Sequence, residues 1–545
     1  MPKLSGSQAL ARSLAREGVE TIFALPGAQL MGIFDAVYDE PCIRLISVRH
    51  EQTTSFMADG YARVKGKPGV ALVVPGPGVQ NASAGLSTAY AASSPVLLVA
   101  GQVESAMLGR DKGALHEIND QLDLVRPVTK WRRRVLTVPE IPDAIHEAMR
   151  QMKTGRPRPT EVEIPPDVLA STDEVELRES EEYPPDAPDR DQLRKAADLL
   201  VSAKKPLIWA GGGVILGDAT RELAAVAEEL GIPVATTAEG KGAIPEDHPL
   251  SLGAAYHGFG AAAWAAPKSD IILAVGTRFS RQMAGSTRPK PPQRLIHIDV
   301  DPSVMGKNYP AEISIVAHAG IALKMLLEET RKRERPQERW PVSELEECRA
   351  RLRGFLEEHA SLHCGMIAEI QKVVGDQAII VSGITNPGYW SYFAYRVKQP
   401  RAYLTASYMA TLGFAFPTAL GAKIAAPDKP VLSLSGDGGF MYALPELATA
   451  VQYGINVIAL VFVDNAFGAS LSDQKTHYHG RILGTELYNP SFARVAEVFG
   501  ARGIEAEPEN IGTALQEALK VARPTVIEVP IPTLAPPFQI PKRSI

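Results

Sequence analysis

The sequence predicts three doubly wound, parallel-sheet α/β domains, on three observations. Short apolar runs recur along the whole chain, each ending in glycine or a polar turn and each followed by a helical pattern, an alternation that implies parallel sheets. At 545 residues the chain is too long for one core and suits about three or four domains. Proline-rich or charged stretches at 183–188 and 331–336 divide it. The expected domains are therefore 1–175, 190–335 and 360–545.

Composition narrows the class further. Hydrophobic residues make up 45% of the chain and charged residues 22%, as in ordinary packed domains. A net charge of −5 offers no basic surface for nucleic acid or an anionic membrane. Cys42, Cys348 and Cys364 are scattered without metal-ligand spacing, which fits a reduced compartment. The first 18 residues read as a charged amphipathic helix, not a secretory leader. No apolar run approaches the roughly 20 residues of a membrane span. A soluble cytoplasmic protein is expected.

In the first domain a helix over 8–17 precedes a strand over 21–25 that ends at Pro26-Gly27-Ala28-Gln29. Further strands are expected over 44–48, 70–74 and 96–100. The second of these four ends at Arg49-His50-Glu51-Gln52, and a helical pattern runs on through Tyr61. Glu51 thus falls where α/β sheets carry functional groups, although taken alone it reads equally as a first-turn carboxylate favoured by the helix dipole. Gly76-Pro77-Gly78-Val79-Gln80-Asn81 imitates a dinucleotide fingerprint. Asn81 replaces its third glycine and no acid follows about 20 residues on, so a nicotinamide site is rejected. The basic run 130–134 reads as a solvated face.

The central domain is expected to contain strands over 206–210, 233–237, 270–275 and 294–298. Gly211-Gly212-Gly213, after the first, suits either a nucleotide turn or a tight helix start. A helical stretch to about residue 358 leads into the last domain. There a strand over 378–382 is followed by Ile384-Thr385-Asn386, and Ala410-Thr411-Leu412-Gly413 lies further on.

The segment 431–468 carries the chemistry. A strand over 431–434 ends in Gly436-Asp437-Gly438-Gly439, one helical pattern passes through Leu444, Leu447 and Val451, and a strand over 457–463 ends in Asp464-Asn465. In a parallel sheet both strand ends open at one edge, so Asp437 and Asp464 face a common crevice. Glycines let the backbone close on a phosphate. The carboxylates are hard oxygen ligands of the kind magnesium takes together with phosphate oxygens. A metal-bound diphosphate is the expected ligand.

Asp464 stands 27 residues after Asp437, and that spacing resembles the metal–diphosphate motif of thiamine-diphosphate enzymes, the acetolactate synthase-like members above all. The resemblance covers nearly the whole chain, from the Glu51 region to the strand 525–529. It implies magnesium held by Asp437, Asp464 and the carbonyl of Ala466, with Asn465 as the alternative second ligand. The cofactor would also touch Gly436, Gly438, Gly439, Thr385 and Asn386. The Ala410 carbonyl would accept from the aminopyrimidine, and Leu412 would prop the cofactor in its bent form. Glu51 would bond the aminopyrimidine and start removal of the C2 proton, for which a carboxyl of raised pKa in an apolar pocket is suited.

The resemblance also implies a homodimer or homotetramer with active sites between subunits. The loop carrying His116 would approach the thiazolium from the neighbouring subunit, and Gly27, Ala28 and Gln29 would face substrate. The central domain holds flavin adenine dinucleotide in some members and nothing in others. The implied activity is decarboxylation of a pyruvate-like 2-keto acid and joining of the remainder to a second carbonyl compound, with simple decarboxylation as the alternative. A noncatalytic regulatory relative would be expected to lose Glu51 or an aspartate ligand, and all are present. Asp473 stands where biosynthetic synthases carry tryptophan, which leaves the acceptor open. His477 and His479 lack a third ligand and read as surface residues rather than a zinc site.

Overall fold

The computed structural model describes residues 1–280, 294–334 and 339–540. Arg335 and Pro336, expected within the second interdomain stretch, lie outside the described residues. Three six-stranded, all-parallel sheets follow one another along the chain. The first contains Thr21–Ala24 (β1), Arg44–Ser47 (β2), Gly69–Val73 (β3), Val96–Gly101 (β4), Trp131–Arg134 (β5) and Thr160–Ile164 (β6), in the spatial order β2-β1-β3-β4-β6-β5. The second contains Pro206–Ala210 (β7), Val234–Thr236 (β8), Ser251–Ala254 (β9), Ile271–Val275 (β10), Arg294–Asp299 (β11) and Ile313–Val316 (β12), ordered β9-β8-β7-β10-β11-β12. The third contains Ile379–Ser382 (β13), Tyr403–Thr405 (β14), Val431–Gly436 (β15), Ile458–Val463 (β16), Arg502–Glu505 (β17) and Thr525–Pro530 (β18), ordered β14-β13-β15-β16-β18-β17. The first and third sheets therefore share one strand order. Each sheet has a point where that order reverses, and a crevice opens there at the carboxyl ends of the strands.

The elements that matter for the site are Glu51–Lys65 (α1), Pro77–Ala92 (α2), Val342–Val374 (α3), Asn386–Ala394 (α4), Ala415–Ala425 (α5), Asp437–Met441 (α6), Glu446–Tyr453 (α7) and Gly468–His477 (α8). Three expectations need correction. The single helical pattern after Asp437 is two helices, because Pro445 lacks the amide that a continuous helix would need there. The helix expected to end near 358 continues to Val374, with a kink at Ala360. The basic run 130–134 is not a solvated face. It includes edge strand β5, Lys130 donates to the carbonyls of Gln151 and Thr154, and Arg134 pairs with buried Glu163.

The first and third domains share a core. Phe56 of α1 and Phe414, just before α5, meet edge-to-face at 6.0 Å, inside an apolar cluster drawn from both sheets. The two helices cross backbone to backbone. A methyl at Gly60 would sit 2.1 Å from the Thr418 carbonyl oxygen, and one at Gly421 would sit 2.0 Å from that of Met57. Glu446 adds a polar tie. Buried at the start of α7, its carboxylate accepts from the Arg49 amide at 3.1 Å and the His50 amide at 3.0 Å.

Gly421→Val is expected to destabilise the protein by about 1–3 kcal/mol or more, since the intruding atoms meet backbone that cannot turn away. Gly354→Ala on α3, where a methyl meets nothing within 4 Å, is expected to be neutral or to stabilise by roughly 0.5–1 kcal/mol. Thermal denaturation of the two variants checks both; an unchanged melting temperature for Gly421→Val would refute the close crossing.

Candidate active site

Two crevices, one in each outer domain, collect the residues singled out in the sequence. In the third domain the strand order reverses between β13 and β15. Asp437 follows β15 directly and is buried. Its Oδ1 accepts from the Gly438 amide at 2.8 Å, and its Oδ2 from the Asn489 side-chain amide at 2.8 Å. Asp464 follows β16 on the neighbouring strand and is half-buried. Burial raises its pKa to about 6, with the Asp437 charge adding to the shift; burial also raises Asp437. Two carboxylates that disfavour each other's ionisation at one sheet edge suit a shared cation. No group of three or more His, Cys, Asp or Glu side chains forms a metal cage among the described residues. A cation here would thus complete its shell with backbone carbonyls and ligand oxygens.

Gly439 shows that the crevice has room. A methyl there would meet nothing nearer than the Gly413 amide at 3.9 Å, so packing does not explain this glycine. Gly438 differs, because its missing side chain makes space for the Phe467 ring. Thr385, at the end of β13, is brought beside Gly436, where a methyl would lie 3.0 Å from its hydroxyl oxygen. Asn386 instead turns its side-chain amide to the Leu534 carbonyl and leaves its own oxygen buried without a partner.

Asn465 has left-handed backbone, φ 53°, and its side-chain oxygen accepts from Asn489 at 3.0 Å. Of the two candidates for second ligand, Asp464 is therefore the one whose carboxylate feels Asp437. Asn489 escaped the sequence reading. It lies 52 residues beyond Asp437, and only the Asn489-Pro490 turn dipeptide marks it. Ala410 also has left-handed backbone, φ 49°. Half-buried Leu412 joins none of the apolar clusters among the described residues. Asp473 pairs with His477 at 2.9 Å on the exposed face of α8.

In the first domain the order reverses between β1 and β3. Glu51 opens α1 after β2, half-buried, and its Oε2 accepts from the Asn81 side-chain amide at 2.9 Å. Asn81 is the residue that spoiled the dinucleotide fingerprint. Gly76, at φ 60°, passes so close to the 109–120 loop that a methyl would lie 2.3 Å from the His116 carbonyl oxygen. His116 Nδ1 lies 3.2 Å from Gln29 Oε1. Gln121, another residue that sequence reasoning missed, accepts from the Gly76 amide and donates to Glu163, tying this turn to the sheet.

The central crevice, between β7 and β10, opens into a cleft shared with the end of α2. Gly211 and Gly213 are accounted for by packing, since methyls there would lie 2.3 and 2.6 Å from Gly276 atoms. Two guanidiniums, Arg156 and Arg278, line the cleft. Asp299, at the end of β11, binds Arg156 through one oxygen at 2.7 Å and keeps the other buried without a partner. Arg156 also pairs with Asp301 at 2.9 Å, so its charge is met within the protein, and Arg278 is the guanidinium of this cleft without a carboxylate pair among the described residues.

Comparison with known proteins places the family. Residues 4–124 match the model of the thiamine pyrophosphate enzyme N-terminal TPP binding domain, 193–326 that of the central domain, and 383–529 that of the C-terminal TPP binding domain. The chain is 35% identical to a probable acetolactate synthase large subunit of Methanocaldococcus jannaschii, over 97% of its length and 92% of that protein. It is 35% identical to the acetolactate synthase large subunit of Haemophilus influenzae, over 96% and 93%. A probable 2-ketoarginine decarboxylase of Pseudomonas aeruginosa is 33% identical over 91% and 88%. No helix is long and apolar enough to cross a membrane among the described residues.

Proposed function

Because the chain belongs to the thiamine pyrophosphate enzyme family, we propose that it decarboxylates a 2-keto acid of pyruvate size and joins the remainder to a second carbonyl compound, as an acetolactate synthase-like carboligase. The observation that carries this reading is the pair Asp437 and Asp464 at the ends of the adjacent strands β15 and β16, beside the reversal point of the third sheet and a glycine with open space. Bound thiamine diphosphate supplies the electron sink for cleaving and forming the carbon–carbon bond. Asp437, Asp464 and the Ala466 carbonyl would hold magnesium on the diphosphate, and the amides of Gly438 and Gly439 would lie along it. Glu51 would hold the aminopyrimidine and exchange a proton with it, with Asn81 fixing the carboxylate that does so. Gly27, Ala28, Gln29 and His116 would face substrate.

Glu51 and Asp437 stand on different domains. Their meeting across subunits, in a homodimer or homotetramer, is part of the proposal. Leu412 would press the cofactor into its reactive shape. Leu412→Ala is thus expected to lower kcat by roughly 10- to 100-fold through misplacement of the reacting groups. Stability should change little, because the side chain is outside the cores. Steady-state kinetics beside thermal denaturation separate the two effects, and an equal loss in both would make Leu412 a packing residue.

Flavin adenine dinucleotide would occupy the central cleft beside Arg278 and Arg156, in a structural role, since the reaction has no redox step. Protein that remains colourless after incubation with flavin would remove this assignment. The relative named as a decarboxylase supports a second reading, in which the remainder leaves as an aldehyde. Incubation with pyruvate, magnesium and thiamine diphosphate decides. Acetolactate, or a hydroxyketone formed when an aldehyde is added, supports the carboligase; acetaldehyde as sole product in both mixtures supports the decarboxylase, and no turnover removes pyruvate as donor.

A further inference from the structure

We infer that Gln29 locks His116 as its Nδ1–H tautomer, and that the bare Nε2 this leaves at the first-domain crevice selects a second substrate with a hydroxyl beside its carbonyl. The inference rests on the proposed carboligation and deepens it by naming the substrate class.

The lock follows from which atoms can donate. Gln29 Nε2 donates to the Leu115 carbonyl at 3.1 Å, and a backbone carbonyl can only accept. That contact sets which way the Gln29 amide faces, so its oxygen is the atom 3.2 Å from His116 Nδ1. An amide oxygen cannot donate, hence Nδ1 carries the hydrogen. In the neutral ring Nε2 is then a lone-pair acceptor. It makes no hydrogen bond among the described residues, although His116 is half-buried.

The backbone has been arranged to put the ring there. His116 sits at φ 68°, a left-handed conformation that costs a residue with a side chain. The surrounding loop holds it in place. Glu117 Oε2 accepts from the amides of Lys112 at 3.0 Å and Ala114 at 2.8 Å, and Gly76 admits the His116 carbonyl where any methyl would collide. The result lays His116 across the ends of β1 and β3, the reversal point of the sheet whose next strand end carries Glu51.

A bare imidazole nitrogen complements a donor. It repels a carboxylate and gains nothing from an alkyl group, but it accepts from a hydroxyl, and a site built to bond a hydroxyl discriminates strongly against an analogue without one. Glycolaldehyde and propanal have the same number of heavy atoms and differ in that one group.

The test uses the holoenzyme with pyruvate as donor and each aldehyde in turn. Wild type is expected to favour glycolaldehyde by roughly 10- to 100-fold in kcat/KM. The ratio should fall towards one in His116→Leu and in Gln29→Leu, and be partly kept in His116→Gln, whose amide oxygen can still accept. A wild-type ratio near one, or a ratio that His116→Leu leaves unchanged, overturns the selection. Nitrogen-15 NMR of histidine-labelled protein tests the lock independently of turnover. One imidazole with a protonated Nδ1 and bare Nε2 should vanish in His116→Gln and become a tautomer mixture in Gln29→Leu; an Nε2–H signal for His116 overturns it. Carbon dioxide release with no ligated product, acetolactate included, overturns the carboligase reading and with it the selection; acetolactate without ligation of either aldehyde overturns the selection alone, and in both cases the nitrogen spectrum still decides the lock.

Discussion

Asp437→Ala is expected to abolish thiamine-diphosphate binding at any practical concentration. The loss should exceed the roughly 10- to 100-fold that removal of a mere outer-shell partner of a metal produces. The aspartate is buried, receives the Gly438 and Asn489 amides, and faces Asp464. Its deletion therefore removes a ligand and also leaves two donors unsatisfied. Calorimetric titration with thiamine diphosphate and magnesium reads the effect directly. Chelation of magnesium from wild type should reproduce it, and affinity equal to wild type in the variant would refute the metal site. Asn489→Ala gives a graded counterpart: it removes the amide shared by Asp437 and Asn465 but leaves both aspartates in place, so binding should weaken by about 10- to 100-fold and not vanish.

Glu51→Gln is expected to keep the cofactor and lose most of the proton chemistry. The amide oxygen can still accept from Asn81, so the start of α1 should stay in place, but an amide relays no proton. General acid–base groups contribute typically 10²- to 10⁴-fold, and the variant should lose about that much in the exchange of the cofactor's C2 proton with deuterium, followed by proton NMR. Exchange as fast as wild type would take Glu51 out of its role. Retained affinity with lost exchange is the pattern that separates Glu51 from Asp437.

These two residues were legible in the sequence because each ends an apolar strand at a sharp change of pattern, and strand ends are where parallel sheets put their chemistry. Buried strands such as β3, β4, β10 and β16 declared themselves as continuous apolar runs. Most edge strands did not, β2 being the exception. β5 reads Trp-Arg-Arg-Arg because an edge needs charge on its open side, and its arginine meets a carboxylate buried on the neighbouring strand. Asn489, Gln121 and Glu446 were invisible for a different reason. Each is a polar residue in an unremarkable local pattern whose partner lies tens or hundreds of residues away, a pairing that only the fold creates. The tautomer of His116 belongs to the same class, since it depends on an amide 87 residues earlier.

The crossing of α1 and α5 bears on how the enzyme could be re-engineered. At Gly60 and Gly421 the contact is backbone on backbone, so no neighbouring side chain can shrink to rescue a larger residue, and a second-site suppressor would have to move a whole helix. Libraries aimed at new acceptors should spare both positions and spend their diversity on 112–116 and 473. Those residues sit on loop or helix surface, and replacements there need not disturb the core that joins the two outer domains.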